Sequence, residues 1–218
     1  MQVTVSNNIK IQNPTPEIIE WCKTNLTIDN PEYAKKVRMG FWVGNTPKTL
    51  NLYEVHGDTL VLPYGTLKQI QSLIKDAIVT SEFKPYESID YGKPIPLYPY
   101  QEKAVRESFK GKYGILQSKA GSGKTQMAIA LIRQYGRRAL WVTHTLDLLR
   151  QSRDRALQYM DKDLLGTITE GKVNIGKGIT FATVQTLSKL DLSQYKDMWD
   201  LIRIKIRKFL YVNFFLKI

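Results

Sequence analysis

The chain has 218 residues, of which 43% are hydrophobic and 24% charged, enough apolar material for one medium-sized domain or two small ones. No uncharged apolar run reaches about 18 residues and the N-terminus lacks the order of a secretory signal, which favours a cytoplasmic protein without a membrane span. A single cysteine, Cys22, and two histidines exclude an internal disulfide and a zinc-ligand pattern.

The excess positive charge lies after residue 95, where it adds up to the whole formal net charge of +12. Residues 1–95 hold ten basic and ten acidic residues, whereas residues 96–200 hold seventeen basic and ten acidic ones. Residues 201–218 hold five basic residues and no acidic residue. This distribution is compatible with a nucleic-acid partner without establishing one.

Residues 1–94 are predicted to form a small accessory α+β domain. The predicted elements are a strand or hairpin in residues 3–12, a helix that begins at Pro16 after the N-cap Thr15, a hairpin in residues 50–63 and a helix in residues 66–75. Three aromatic residues, Phe41, Trp42 and Tyr53, have the chemistry to stack on nucleic-acid bases. Aromatic residues at strand spacing are more typical of a core, and we expect these three to be buried.

The next segment changes in character at YGKPIPLYP (residues 91–99), where three prolines and a glycine predict an extended connector and a domain boundary at residues 94 and 95. After it, short apolar runs alternate with longer helical patterns, which predicts an α/β domain with a parallel sheet. The predicted strands are residues 113–117, 139–143 and 178–183, and the predicted helices run from Lys124 to a C-terminal Gly136 and from Asp147 to Met160.

A glycine-rich loop, SKAGSGKT (residues 118–125), joins the first of these strands to the first helix. Glycines at such positions let backbone N–H groups converge on an anion at the helix N-terminus. The candidate nucleotide-binding residues are Ser118, Ala120, Gly121, Ser122, Gly123, Lys124 and Thr125. Lys124 is expected to contact the β and γ phosphates, and the Thr125 hydroxyl to ligate Mg²⁺. Ser118 replaces the first glycine of the usual pattern, and the alternative is a glycine-rich turn before a core helix.

Four motifs follow one another between residues 96 and 201: LYPYQEKAV (97–105), GSGKT (121–125), WVTHTLDLLRQ (141–151) and ITFATVQTL (179–187). In this order and spacing they resemble the superfamily II DNA helicases and translocases, in the branch of phage helicases, XPB-like repair helicases and restriction-enzyme motor subunits. The resemblance implies a RecA-like ATP-binding domain in residues 95–201, with ATP and Mg²⁺ as cofactors and DNA as partner. It also implies a location in the cytoplasm of a bacterium or of a phage-infected host cell.

The same resemblance assigns roles to five further residues. Gln101 corresponds to the adenine contact, although Tyr98 stands where the family often has arginine. The motifs that grip the DNA backbone correspond to Thr143 and His144 and to Thr183 and Thr186, through hydroxyls and main-chain N–H groups that position without reading bases. These threonines are alternatively strand ends and helix caps.

A row of arginines, Arg150, Arg153 and Arg155, follows the second strand and lines either a nucleic-acid channel or a solvated face. The interleaved Asp147 and Asp154 favour the solvated face.

The tail, residues 202–218, departs from the family pattern where a strand ending in Asp-Glu is due. In the family this Asp holds Mg²⁺ and this Glu activates the attacking water. The tail contains no acidic residue, glycine or proline, and our favoured hypothesis is a change of reading frame at or just after Leu201. The alternative is a genuine amphipathic strand or helix that docks on the core or on an anionic membrane.

The second RecA-like domain, which usually supplies an arginine finger, is not matched either. The sequence therefore predicts the ATP-binding N-terminal portion of a DNA helicase or translocase, without catalytic competence of its own. Two alternatives stay open: a non-catalytic DNA-binding or interaction module with a vestigial loop, and another phosphate-loop enzyme such as a nucleotide kinase, for which the substrate-binding lid is not found.

Overall fold

The computed structural model describes residues 1–6, 8–81, 87–111, 114–169, 171–195, 198–206 and 209–213, with side chains through residue 200. Its contacts divide the chain into two units, Met1–Lys84 and Pro85–Ile218. The division precedes the predicted boundary at residues 94 and 95, because Tyr91 and Ile95 are buried in the core of the second unit. The Tyr91 hydroxyl donates a hydrogen bond to the Arg137 carbonyl oxygen at 2.7 Å. The proline-containing segment therefore packs as part of the second unit.

The first unit contains a sheet with the strand order β5-β6-β2-β1-β7 and a separate pair, β3-β4. Its strands are β1 (Gln2–Val5), β2 (Asn8–Gln12), β3 (Thr27–Asp29), β4 (Thr49–Asn51), β5 (Glu54–His56), β6 (Thr59–Pro63) and β7 (Ile78–Ser81), and its helices are α1 (Pro16–Asn25), α2 (Pro31–Arg38) and α3 (Leu67–Ile70). Alternate residues of β1, β2 and β6 point to one face and bury their apolar side chains with Ile18 and Cys22 of α1.

Residues 3–12 form a hairpin, because β1 pairs with β2 in antiparallel register. The hairpin predicted in residues 50–63 is confirmed in part: β5 pairs with β6, but β4 pairs with β3 instead. The helix predicted from Thr66 is shorter than expected, since α3 ends at Ile70. The prediction that Phe41 and Trp42 are buried is wrong: they are 60% and 87% exposed. Both follow α2 directly in a segment without strand pairing, whereas Tyr53 packs against the core as expected.

The second unit is an α/β structure around a sheet with the order β11-β10-β12-β9-β13-β14-β8. Its strands are β8 (Gly114–Gln117), β9 (Ala139–Thr143), β10 (Leu165–Thr169), β11 (Lys172–Asn174), β12 (Ile179–Thr183), β13 (Leu201–Ile206) and β14 (Phe209–Asn213), and its helices are α4 (Pro99–Gly111), α5 (Lys124–Tyr135), α6 (Leu146–Leu157) and α7 (Val184–Leu187). Every residue of β9 and β12 is buried, as in strands covered on both faces.

Strand direction places several strand ends together. Strand β9 runs parallel to β12 and to β13. Strand β14 is antiparallel to both β13 and β8, so β8 runs in the same direction as β9. The carboxyl ends of β8, β9, β12 and β13 consequently lie at one edge of the sheet, while β14 is the strand between β13 and β8 that runs the opposite way.

The tail forms β14 and all of β13 except Leu201, which matches the strand alternative stated for it. An alternating Ile-Arg-Ile-Lys-Ile run pairs as a strand whatever its origin, because its side-chain period is that of a strand. The frame-change hypothesis concerns the gene and stays a prediction, which translation of the other reading frames beyond codon 201 checks. None of the helices among the described residues has the length and apolar character needed to cross a bilayer.

Candidate functional site

The phosphate loop, residues 118–123, connects the carboxyl end of β8 to the first residue of α5. Gly121 and Gly123 have φ angles of 78° and 76°, in the left-handed region that favours glycine. A Cβ atom on Gly123 would lie 2.3 Å from Nε2 of Gln101, whereas one on Gly121 would meet nothing within 4 Å. Gly123 is therefore required for both its backbone conformation and its contact with Gln101.

Side chains of the loop bond to its own backbone. Nζ of Lys124 donates to the carbonyl oxygens of Ser118 at 2.9 Å and Lys119 at 2.6 Å. The hydroxyl of Ser118 contacts the hydroxyl of Ser122, which donates to the Lys119 carbonyl oxygen at 2.8 Å. The serine that replaces the usual first glycine thus contributes a hydrogen bond inside the loop. Thr125 follows as the second residue of α5, with its side chain half-buried.

Gln101, the predicted adenine contact, is only 3% exposed and uses both ends of its amide within the protein. Its Nε2 donates to the Ser122 carbonyl oxygen at 3.0 Å, and its Oε1 accepts from the backbone N–H of Tyr98 at 2.9 Å. The Tyr100 hydroxyl donates to the same Ser122 carbonyl oxygen at 3.2 Å. In this structure Gln101 links the start of α4 to the phosphate loop.

The two tyrosines beside Gln101 form an aromatic surface that sequence reasoning missed. The rings of Tyr98 and Tyr100 stack with their centroids 6.0 Å apart and their planes within 7° of parallel. They are 68% and 55% exposed. The signal in the sequence was the Tyr-Pro-Tyr spacing directly before Gln101, which we interpreted only as a departure from the family arginine.

Within the described ranges, no three His, Cys, Asp or Glu side chains are grouped so that they could hold a metal ion. Mg²⁺ accepts oxygen ligands from nucleotide phosphates together with oxygen ligands from a protein. The Thr125 hydroxyl, in the first turn of α5, fits such a shared arrangement.

The predicted DNA-contact threonines meet at the carboxyl ends of β9 and β12, where Thr143 and Thr183 are paired in register. Thr143 is fully buried, and its hydroxyl donates to the Thr145 carbonyl oxygen at 3.1 Å. The Thr183 hydroxyl accepts from the backbone N–H of Thr186 at 3.2 Å and caps α7. Both hydroxyls are therefore used within the protein: that of Thr143 bonds to the backbone just after β9, and that of Thr183 caps α7.

A groove of about 580 Å³ opens beside these threonines. This strand-end groove is lined by His144, Thr183, Thr186, Gln185 and Lys189, among others. His144, Gln185 and Lys189 are exposed and available to a ligand, whereas Thr183 is buried and Thr186 is half-buried. Sequence reasoning missed Gln185, in α7, and Lys189, in the turn that follows this helix.

The arginines of α6 agree in part with the solvated-face interpretation. Arg150 and Arg155 are exposed, and Nη1 of Arg155 donates to Oε1 of Gln158 at 3.0 Å. Arg153 is half-buried.

Comparison with known proteins identifies the family. A family model described as the type III restriction enzyme, res subunit, matches residues 94–204, just over half of the chain. The chain belongs to the res-subunit family. This membership confirms the superfamily II helicase and translocase resemblance carried by the four motifs.

One curated relative of this family member is "DNA 3'-5' translocase XPB2" from Sulfurisphaera tokodaii, which is 38% identical over 89 residues. The matched region is 41% of this chain and 20% of the relative, so the chain spans about a fifth of that protein's length.

Two solved structures of the UvsW helicase from bacteriophage T4 have the same fold, with TM-scores of 0.65 and 0.66 at 16% identity. Each match covers 94% of this res-subunit chain, and 82% and 47% of the respective UvsW chains. The likeness confirms the predicted fold class, a small α+β domain followed by a RecA-like domain.

Proposed function

We propose that the second unit is the ATP-binding part of a DNA motor, in which the phosphate loop holds the nucleotide and the strand-end groove holds the DNA backbone. This proposal rests on one observation: the phosphate loop and the strand-end groove lie at the same edge of the sheet. The loop follows β8, and the groove residues follow β9 and β12, at the edge where the carboxyl ends of these strands meet. Ligands of open α/β sheets bind at this edge.

The loop has the groups that nucleotide phosphates require. The first turn of α5 supplies backbone N–H groups and the positive end of the helix dipole. The ammonium group of Lys124 bonds to the carbonyl oxygens of Ser118 and Lys119. When a nucleotide binds, this group would instead contact the β and γ phosphates. A bound Mg²⁺ would neutralise phosphate charge, with the Thr125 hydroxyl as its protein ligand.

The stacked pair Tyr98 and Tyr100 offers a flat surface for the base, and Gln101 ties that surface to the loop through the Ser122 carbonyl oxygen. Because Tyr100 bonds to the same oxygen, a base bound on the tyrosines would affect the loop directly. Gln101 is thus a positioning residue in this proposal, and the tyrosines make the base contact.

For DNA, the groove offers Lys189 as a cation and His144 and Gln185 as polar contacts. Contacts of this kind go to phosphates and carry no sequence information, which suits a motor that moves along any sequence. DNA is proposed as the polymer because the curated relative is described as a DNA translocase.

We further propose that bound ATP is not turned over by this chain alone. Strand β13 runs parallel to β9, so its carboxyl end lies at the loop's edge of the sheet, but residues 201–218 include no Asp or Glu. The carboxylates that would hold Mg²⁺ and activate water are therefore missing there. A steady-state assay is expected to show no DNA-stimulated ATP hydrolysis, and robust stimulation that Lys124→Ala abolishes would contradict this.

DNA binding at several salt concentrations, with and without Mg-ATP, tests the motor assignment. Lys189→Ala is expected to weaken binding and to reduce the salt slope by about 1, as for the loss of one phosphate contact. Lys162→Ala, an exposed lysine outside the groove lining, is the control and should leave the slope unchanged. Binding that ATP does not alter would instead favour the non-catalytic module with a vestigial loop.

A further inference from the structure

Helix α2 and the residues that follow it form an exposed surface in the first unit. None of the eight residues of α2 is buried. Val37, in the last turn of α2, is 55% exposed. Met39, Phe41 and Trp42, which follow the helix, are 51%, 60% and 87% exposed. We refer to residues 35–42 as the α2 patch. Four large apolar side chains in so short an exposed stretch indicate a surface for a ligand.

Helix α2 is held by hydrogen bonds of Asn30, at its N-cap, and of Lys36, because it has no buried face. Asn30 is 6% exposed, and its Oδ1 accepts from the Glu32 N–H at 3.0 Å while its Nδ2 donates to the Pro47 carbonyl oxygen at 2.8 Å. Nζ of Lys36 donates to the Thr46 hydroxyl at 2.6 Å. These contacts fix α2 against the segment at residues 46–48 and leave its remaining surface to solvent.

The Trp42 ring lies close to Gly44, although it is the most exposed large apolar side chain among the described residues. A Cβ atom on Gly44 would lie 2.8 Å from Cζ3 of the indole. Glycine at this position therefore lets the ring lie close to the backbone, and most of the ring surface stays exposed. An aromatic ring with an open face can serve as a stacking platform for a base.

The charges around the platform are positive. Residues 31–42 contain Lys35, Lys36 and Arg38 against one acidic residue, Glu32. Glu32 is paired with Lys36 at 3.3 Å, and Lys35 and Arg38 are exposed. The cores of protein–protein interfaces are depleted in lysine, whereas exposed cations beside exposed aromatic rings match a chain of alternating phosphates and bases.

We propose that the α2 patch binds single-stranded nucleic acid, with Trp42 and Phe41 stacking on bases and Lys35 and Arg38 contacting phosphates. A single strand is specified because the faces of its bases are accessible, whereas those of a duplex are stacked on one another. This site belongs to the first unit and is separate from the loop and groove of the second.

Tryptophan fluorescence of the full chain gives a readout specific to the patch. Trp141 and Trp199 are 0% and 6% exposed and Trp21 is half-buried, so Trp42 dominates the red-edge emission. Oligothymidylate is expected to quench this emission through stacking. Trp42→Phe should bind with nearly the same affinity, because a ring remains, but should lose the quench.

The affinity change is measured by anisotropy of labelled oligothymidylate in the Lys189→Ala background, in which the strand-end groove binds the strand more weakly. Trp42→Ala is expected to weaken binding roughly 5- to 150-fold, the equivalent of one lost base stack. Val55→Ala, at an exposed apolar position on β5, is the matched control and should not change binding. Unchanged affinity in Trp42→Ala, a quench that persists in Trp42→Phe, or quenching by anionic vesicles or duplex DNA but not by oligothymidylate would overturn the proposal.

Discussion

At the scale of single residues, the Gln101 side chain connects the start of α4 to the phosphate loop, the two parts of the proposed nucleotide site. The close approach of Gln101 to Gly123 leaves no room for a Cβ atom, and the amide holds the Ser122 carbonyl oxygen. Gly121, two residues earlier, has the same backbone conformation with open space around it. The two glycines therefore separate the effect of backbone strain from the effect of this contact.

Gly121→Ala is expected to destabilise the second unit by about 1–2 kcal/mol, the strain of a left-handed alanine. Gly123→Ala carries the same strain and also displaces Gln101, which adds about 1–3 kcal/mol for a broken buried hydrogen bond. Urea-induced unfolding of both variants measures the difference. Equal destabilisation of the two variants would show that the Gln101 contact contributes nothing.

Burial of Cys22 makes the stability of the first unit sensitive to alkaline pH. Burial raises the pKa of this thiol from 9.0 to about 11, because the thiolate would lose its hydration. The unfolded chain therefore releases this proton at a lower pH than the folded chain, and the free energy of unfolding falls as pH rises from about 9 to about 11. Denaturant titrations across that range check the slope. Cys22→Ala, although less stable overall, should show a shallower fall.

At the scale of elements, α2 depends on its N-terminal contacts because it buries no residue. Asn30→Ala is expected to cost about 1–2 kcal/mol by removing the cap and the bond to Pro47. Thr15→Ala is the control, because Thr15 occupies the N-cap of α1 without a side-chain cap hydrogen bond and should cost little. Thermal unfolding compares them, and similar costs would contradict the role given to Asn30.

The sequence signal was strongest for elements whose pattern is local. Strands β9 and β12 are continuous buried apolar runs, and the phosphate loop is recognised from its spacing. Strand β10 was missed because Gly166 interrupts its pattern. The structure explains that glycine, since a Cβ on Gly166 would lie 2.1 Å from the backbone nitrogen of Gly176. This packing partner is ten residues away and is not visible in a local window.

The errors at Phe41 and Trp42 have a related cause. The segment looked like a strand, but Gly40 and Gly44 adopt left-handed conformations with φ angles of 68° and 50°. These turns keep residues 41 and 42 out of any sheet. The internal roles of Gln101 and Thr183 also depend on contacts made after folding, so the sequence placed these residues near the site but did not predict what their side chains contact.

At the scale of the whole molecule, the tail completes the sheet that carries the phosphate loop. Among the described strands, β8 pairs with β14 alone, and β14 pairs in turn with β13. Strand β8 is thus joined to β9 and β12 through the two strands of the tail.

A chain that ends at Leu201 is therefore expected to lose ordered pairing of β8 and to bind ATP more weakly than the 218-residue chain. Hydrogen exchange of the β8 and β9 amides measures the pairing, with β1 and β2 of the first unit as the internal reference. Unchanged protection of β8 in the shorter chain would show that the tail does not hold this strand in place.

The central claim is that the loop at residues 118–125 binds the phosphates of ATP, and titration of a fluorescent ATP analogue in the presence of Mg²⁺ tests it most directly. The 218-residue chain is expected to bind the analogue, and Lys124→Ala to lose most of this affinity, because its ammonium supplies the charge that meets the phosphates. Lys110→Ala, at an exposed lysine of α4, should bind like the parent chain. Equal affinity of Lys124→Ala and the parent chain, or no binding by the folded parent chain, would contradict the account.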